Sequence, residues 1–394
     1  MKKKIRALPD RNNLYSNSQA GISFNFFKGH VNYCLGCMVI LVFLMPSLYG
    51  YKDLVDQDTT KITEAYELRI VGKAEKAEEL LKDLLKNDST DALAYFEQAR
   101  TKQHLFLGGT QFSMEKWEEV VSSSQQAVRY ATENEIFAFY YAYASFFNAY
   151  ISMMMQNPDA GKKITHTCDA FQAVLNLNPD CHEALLYLVD IYAFLPEDMG
   201  GDKEKARMIA SDLNKKNKVY GAMAYARLMP DTANIVLHWE NIRKEAGNNA
   251  QVLEELGRAY LLKSDTENGT KYFQESINAD NTKRYLYMNL ARYHILSTQE
   301  NPEKSREHLE EAEKLVNHYL QTATELVPPL KAHAYGILAL IKMISGDNQG
   351  SNEYQEMAKS IDPYYSKGTG KPPEMLYCHP DEVKIQYSSF FMPF

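Results

Sequence analysis

The chain has 394 residues, a formal charge of −8 and 45% hydrophobic residues, enough apolar side chain for a sizeable buried core. The acidic balance argues against nucleic acid as a partner, because phosphate binding needs clustered Lys and Arg. Five cysteines in a chain this long make no disulfide framework.

Residues 1–50 stand apart. Lys2, Lys3, Lys4, Arg6, Arg11 and Lys28 face a single acid, Asp10, and the apolar run 38–45 follows inside 34–50. A basic head, a short apolar core and small residues after it fit a secretory signal, with cleavage near 47–50. The alternative is an uncleaved N-terminal anchor, with residues 34–50 as the chain's one membrane contact. Cys37 precedes the apolar core instead of following it, which excludes a lipidation site. After residue 50 only Cys168, Cys181 and Cys378 remain, and free thiols on packed helices are expected over a Cys168–Cys181 bridge.

Beyond a short polar stretch, the chain reads as helical pairs. Residues 62–87 form the first, with Gly72 at the turn and Ala77, Leu81 and Leu84 as an inner stripe. Residues 92–102 and 117–130 form the second, around a turn lengthened by Gly108-Gly109. Residues 135–155 are almost uncharged, but their Tyr, Ser and Asn148 content predicts a core helix, not a bilayer span. Residues 164–178 complete that pair and end at Asn178-Pro179. The next pair, 182–194 and 203–214, is broken by Pro196 and Gly200-Gly201, and Asp202 is placed to cap the second helix. No strand precedes those glycines and no Lys-Ser/Thr follows, so a phosphate loop is excluded.

Residues 219–246 are less regular and are interrupted at Pro230. In 250–281, Leu253, Leu256, Ala259 and Tyr260 form one stripe, and Tyr272, Phe273 and Ile277 mark the second helix. Gly257 sits inside the stripe at a cost of about 1 kcal/mol relative to Ala, which implies a close neighbour. Ala65, Ala291 and Ala339 hold the same slot in other pairs, and Ala77 matches Gly269. The last pairs are 285–296 with 302–316, and 332–344 with 349–361, the latter turning at Gly346-Asp347 and ended by Pro363. About seven pairs result, spaced by roughly 34 residues. A single hairpin cannot bury its apolar face alone, so the pairs must stack. Residues 51–246 are expected to form a divergent array, 247–363 a regular one, and 364–394 a non-helical aromatic tail packed on the last helices.

This pattern resembles the tetratricopeptide-repeat (TPR) family. Leu256, Gly257, Tyr260 and Phe273 stand at the family spacing, as do Leu290, Ala291, Leu309 and Ala312 in the next copy. Leu338, Ala339, Ala358 and Pro363 match in the last copy, Ala65, Ala77 and Leu84 in the first, and Phe171, Val174 and Pro179 in the third. The resemblance covers about 60–363 and implies an all-α, right-handed superhelix of helical hairpins. Gly269 in place of the usual Ala, and several expanded turns, depart from the pattern. A narrower likeness covers 136–243. The aromatic-Ala helix, Leu177-Asn178-Pro179-Asp180, the Leu195-Pro196 to Ala206 turn and Ala224-Tyr225-Ala226-Arg227 are similar to the TPR-like accessory component of TRAP transporters, which implies a periplasmic protein that holds a small ligand.

No catalytic or metal site is indicated. After residue 50 there is no Cys-x-x-Cys or His-x-x-x-His pair, no Gly-x-Ser-x-Gly elbow and no phosphate loop, so neither enzyme activity nor a cofactor is expected. What remains is the inner groove lined by first helices. The repeat register puts Glu254, Arg258, Leu261, Tyr285, Met288, Arg292, His333, Gly336 and Leu340 there. Arg258 and Arg292, one repeat apart, would grip a carboxylate bidentately unless each pairs with a neighbouring Glu. Tyr141 and Asn148 are expected on the same channel. The expectation is an exported, non-enzymatic scaffold binding a protein or peptide in its concave groove. The alternative is a periplasmic ligand-holding accessory with an apolar pocket near 136–155.

Overall fold

One apolar stripe per helix leaves each hairpin unable to fold alone, and the computed structural model answers this by stacking. It describes residues 59–107, 113–230, 232–323, 326–364 and 376–385. The basic head and apolar run of residues 1–50, the Gly108-Gly109 turn and residues 386–394 lie outside the described residues. Among the described residues there are sixteen α-helices and no strand.

They form eight consecutive hairpins: α1 (Thr59–Ile70) with α2 (Ala74–Asn87), α3 (Ala92–Leu107) with α4 (Met114–Tyr130), α5 (Glu135–Met154) with α6 (Ala160–Leu177), and α7 (His182–Phe194) with α8 (Lys203–Lys216). There follow α9 (Lys218–Leu228) with α10 (Ile235–Ala246), α11 (Ala250–Leu261) with α12 (Thr266–Ala279), α13 (Leu286–Glu300) with α14 (Ser305–Thr322), and α15 (Pro328–Ile344) with α16 (Asn348–Ile361). The irregular stretch 219–246 is thus a full hairpin, and the count is eight, not seven. The architecture is a TPR-type helical-hairpin solenoid.

Local chemistry sets the boundaries. Asp202 caps α8 by accepting from the Lys205 amide at 2.9 Å, and Asn134, Asn249, Asp265 and Asp347 cap α5, α11, α12 and α16 in the same way. Helix α5 is buried on nearly every side, and no described helix is long and apolar enough to cross a membrane. Apolar packing runs without a gap across 246/247: one core extends from Phe96 to Tyr272, and the next begins at Leu261 on the same helix α11.

The close approach implied by Gly257 is present. A Cβ there would lie 2.4 Å from Phe273 Cδ1 and 3.1 Å from the Gly269 carbonyl oxygen. One on Gly269 would meet Leu261 Cδ2 at 2.5 Å. The two glycines let α11 and α12 touch backbone to backbone. Ala65, Ala77, Ala291 and Ala339 hold the equivalent slots and are fully or almost fully buried.

The ends of the array meet. Gly72, at φ +77°, turns α1 into α2, and a Cβ on it would lie 2.8 Å from the Ile361 carbonyl oxygen at the end of α16. Ala332 of α15, Leu376 and Tyr377 form one buried cluster, with Ile70 of α1 and Leu107 of α3 packed against it. The tail was expected to pack on the last helices and cap an open end. Its described part instead bridges the last repeat and the first, because Leu376 finds apolar cover only where the two come together.

Gly257→Ala should cost about 1–2 kcal/mol in urea denaturation, since overpacking against the buried Phe273 ring outweighs the gain in helix propensity. Unchanged or higher stability would mean that Phe273 yields its position freely.

Candidate functional site

Several charged side chains on first helices are buried, among them Arg69, Glu97, Arg100, Asp190, Arg227, Glu254 and Arg258, and a buried charge must find a partner within the protein. Glu254 on α11 does so most completely. Its Oε1 accepts from Arg258 Nη2 at 2.5 Å, one turn along the same helix. Its Oε2 accepts from Lys283 Nζ at 2.7 Å and from the Tyr285 hydroxyl at 2.6 Å, both from the next repeat. Burial acts to raise this carboxyl, but Lys283 and Arg258 outweigh it and hold it at about 2. Glu255, beside Arg258 and Arg227, is pushed upward by burial. Asp190 of α7 accepts from Arg227 Nε of α9 at 2.7 Å. Ion pairs thus tie repeat four to repeat five and repeat six to repeat seven along the first-helix wall.

Glu254, Arg258 and Tyr285, expected to be open to a partner, are each no more than 3% exposed. The bidentate grip anticipated for Arg258 is unavailable, because a guanidinium buried beside a carboxylate takes that carboxylate first. Leu261, Met288 and His333 are likewise buried, and Arg292 is half-buried. Two groups on this wall nevertheless lack hydrogen-bond partners: Arg258 Nη1, and both Nδ2 and Oδ1 of Asn289. Asn289 stands on α13, one repeat on from Glu255, and is 1% exposed.

The first repeats carry a second ionic group that the sequence did not single out. Glu97 of α3 accepts from Arg69 Nε and Nη2 of α1 at 2.8 and 2.6 Å through Oε1, and from Arg100 Nη1 at 2.8 Å through Oε2. All three are fully buried. The remaining edges of the arginines hold the tail. Arg69 Nη1 donates to the Leu376 carbonyl and Arg100 Nη2 to the Cys378 carbonyl, while the Tyr66 hydroxyl donates to the Tyr377 carbonyl at 2.9 Å. Three consecutive carbonyls are therefore each held by one donor from α1 or α3. Close by, His104 Nε2 lies 3.1 Å from Asp362 Oδ2, and burial lowers the affinity of this imidazole for a proton.

Tyr141 and Asn148 do not face this wall. Tyr141 OH bonds His166 Nε2 of α6, and Asn148 Oδ1 accepts from Lys163 Nζ at 3.1 Å. Asn148, Ser145, His166 and Lys163 border an open pocket of about 240 Å³ whose other walls are Val121 and Lys162, on α4 and α6. On α5 the stripe that meets the neighbouring first helix is the one with Tyr140 and Tyr143, both bonded to Gln103 of α3. Tyr141, Ser145 and Asn148 lie on another stripe, toward the second helices. The apolar space under α5, bordered by Phe146, Ile164 and Ile191, holds about 20 Å³, room for little more than one water. Cys168, Cys181 and Cys378 are free thiols. Among the described residues no three His, Cys, Asp or Glu side chains group as a metal site.

Neither a protein-family model nor a curated protein matches the sequence. Solved structures with a similar fold include the human IFIT1 dimer with PPP-AAAA, at 13% identity and TM-score 0.34, covering 75% of this chain and 80% of that one. The C-terminal part of a TPR repeat-containing protein from Cytophaga hutchinsonii has 12% identity and TM-score 0.26, covering 77% and 95%. Yeast Tom70 has 11% identity and TM-score 0.24, covering 79% and 93%. At these scores no partner or activity carries over.

The Glu254 carboxylate binds its proton more weakly folded than unfolded. Its stabilising effect is therefore present above the ordinary carboxylate range near 4.5 and is lost as pH falls toward 2. Glu254→Gln should flatten the acid limb of a stability–pH curve in that window and cost about 3–5 kcal/mol at pH 7, by leaving Arg258 and Lys283 buried without their anion. An unchanged acid limb would contradict the assignment.

Proposed function

We propose that this chain is a non-enzymatic, TPR-type scaffold that holds an extended segment of a protein partner along its first-helix wall. The observation that carries this is Asn289. A buried amide with neither its donor nor its acceptor paired is costly, and one peptide unit, offering a carbonyl and an N–H, satisfies both. The half-buried Arg292 contributes from α13, one turn from Asn289.

Protein is favoured over nucleic acid, because the arginines Arg69, Arg100, Arg227 and Arg258 are each paired with a carboxylate and form no open basic track. The ligand-holding alternative requires an apolar chamber under α5, and about 20 Å³ is too little for an organic ligand. Export rests on the composition of residues 1–50, with retention as an N-terminal anchor through residues 34–50 as the alternative. N-terminal sequencing of the mature chain checks it: a start near 47–50 supports cleavage, and an intact Met1 contradicts it.

Asn289→Leu separates a binding role from a packing one. Removing an unsatisfied buried amide should leave stability unchanged or raise it by about 1 kcal/mol. Capture of a protein partner from a nuclease-treated extract should fall about fivefold or more. Loss of stability with capture intact would refute the reading, and capture abolished by the nuclease would point to nucleic acid.

A further inference from the structure

We propose that residues 376–385 are an intramolecular ligand: an irregular, turn-containing segment of the chain that occupies the first-helix wall of repeats one and two and must leave before a partner segment can lie there. This rests on the scaffold reading above and extends it to the first-helix wall of repeats one and two, apart from the Asn289 stretch on repeat seven.

The contacts are those of a bound peptide more than of a packed secondary-structure element. Tyr66, Arg69 and Arg100 donate to three main-chain carbonyls, those of residues 377, 376 and 378, and Arg100 Nη2 also lies 3.8 Å from Cys378 Sγ. Every peptide carries such oxygens, so these three donors hold a strand of any sequence. Side-chain specificity comes from three buried anchor side chains. Leu376 and Tyr377 are buried with Ala332, against Ile70 and Leu107, with the Tyr377 ring edge-on to His104 at 5.8 Å, and Val383 is buried in the large core that begins at Phe96. Between the anchors the His379 ring meets the Tyr66 ring edge-on at 5.4 Å, and Pro380–Glu382 forms a single 3-10 turn. Glu97 braces both arginines, since its two oxygens take one guanidinium each. The ligand class is thus a polypeptide segment with a turn and with large apolar or aromatic residues at the positions of Leu376, Tyr377 and Val383.

A tethered occupant competes strongly. A segment joined to its own site by a short linker acts at an effective concentration on the order of millimolar, so a free strand meets a site that is nearly always filled. Cutting the tether, or spoiling one anchor, should open the site without touching the wall.

The experiment uses the full chain in three forms: intact, nicked at a protease site engineered into 366–371 with all residues retained, and intact with Leu376→Asp. A fluorescent peptide spanning residues 374–386 is titrated into each, and helical circular dichroism is recorded throughout. The nicked and Leu376→Asp chains should keep their helix content and bind the peptide at least tenfold more tightly than the intact chain. Equal affinity in all three, or collapse of the helical signal on nicking, would overturn the proposal, since the segment would then be no ligand or a structural part of the array. The two readings fail separately. If the peptide exchanges while Asn289→Leu leaves partner capture intact, only the partner strand is refuted. If capture depends on Asn289 but the peptide never exchanges, only the intramolecular ligand is refuted.

Discussion

Glu97 stands between two arginines in a place water does not reach, and the arrangement of both ends of the chain follows from that. A buried guanidinium without a carboxylate is strongly destabilising. Glu97 has only two oxygens, and Arg69 and Arg100 take both, leaving guanidinium edges that still need acceptors. The carbonyls of Leu376 and Cys378 fill that need. The C-terminal segment is therefore drawn to the first repeat by unsatisfied hydrogen-bond donors and fixed there by the apolar cover that Ala332, Ile70 and Leu107 give to Leu376.

Two kinds of contact divide the work. Within a hairpin, small residues such as Gly257 and Gly269 let helices approach until backbone meets side chain. Between hairpins, ion pairs reach from one first helix toward the next: Arg69 to Glu97, Asp190 to Arg227, and Glu254 to Lys283. A solenoid of this kind is stabilised chiefly by nearest-neighbour interfaces. Contact between its first and last repeats adds a long-range link that a linear stack lacks. Side chains expected in an open groove are buried instead against the neighbouring repeat, as Glu254 is by Lys283 and Tyr285.

The hairpins were legible in the sequence because each is a local object. Pro196, Asp202 and Gly72 announce stops, caps and turns within a few residues, and the Gly257 slot repeats along the chain. The wall was not legible in the same way. In α3, Phe96, Glu97, Gln98, Ala99, Arg100 and Thr101 are all buried, so no alternation of polar and apolar residues marks an inner face. The register put Arg258 on the correct helix face but did not reveal that Glu254, one turn away, had already claimed it. Tyr141 and Asn148 were misassigned because a helix apolar on all sides gives no phase, and either stripe of α5 could have faced the channel. The partnership of Arg69 with residues 376–378 spans almost the whole chain, and no spacing rule encodes it.

The closed end of the array is open to a direct measurement: native-state hydrogen exchange of the amides in 376–385, followed alongside those of α1 and α3. The clasp takes up the carbonyls of 376–378, and the Asp381 and Glu382 amides donate to His379. These two amides should be protected well beyond the rate of a free peptide, and Leu376→Asp should release that protection while α3 stays protected. Exchange of 376–385 at the free-peptide rate in the unaltered chain, with α3 protected, would contradict the account, because the arginine edges beside Glu97 would then be satisfied by something other than the tail.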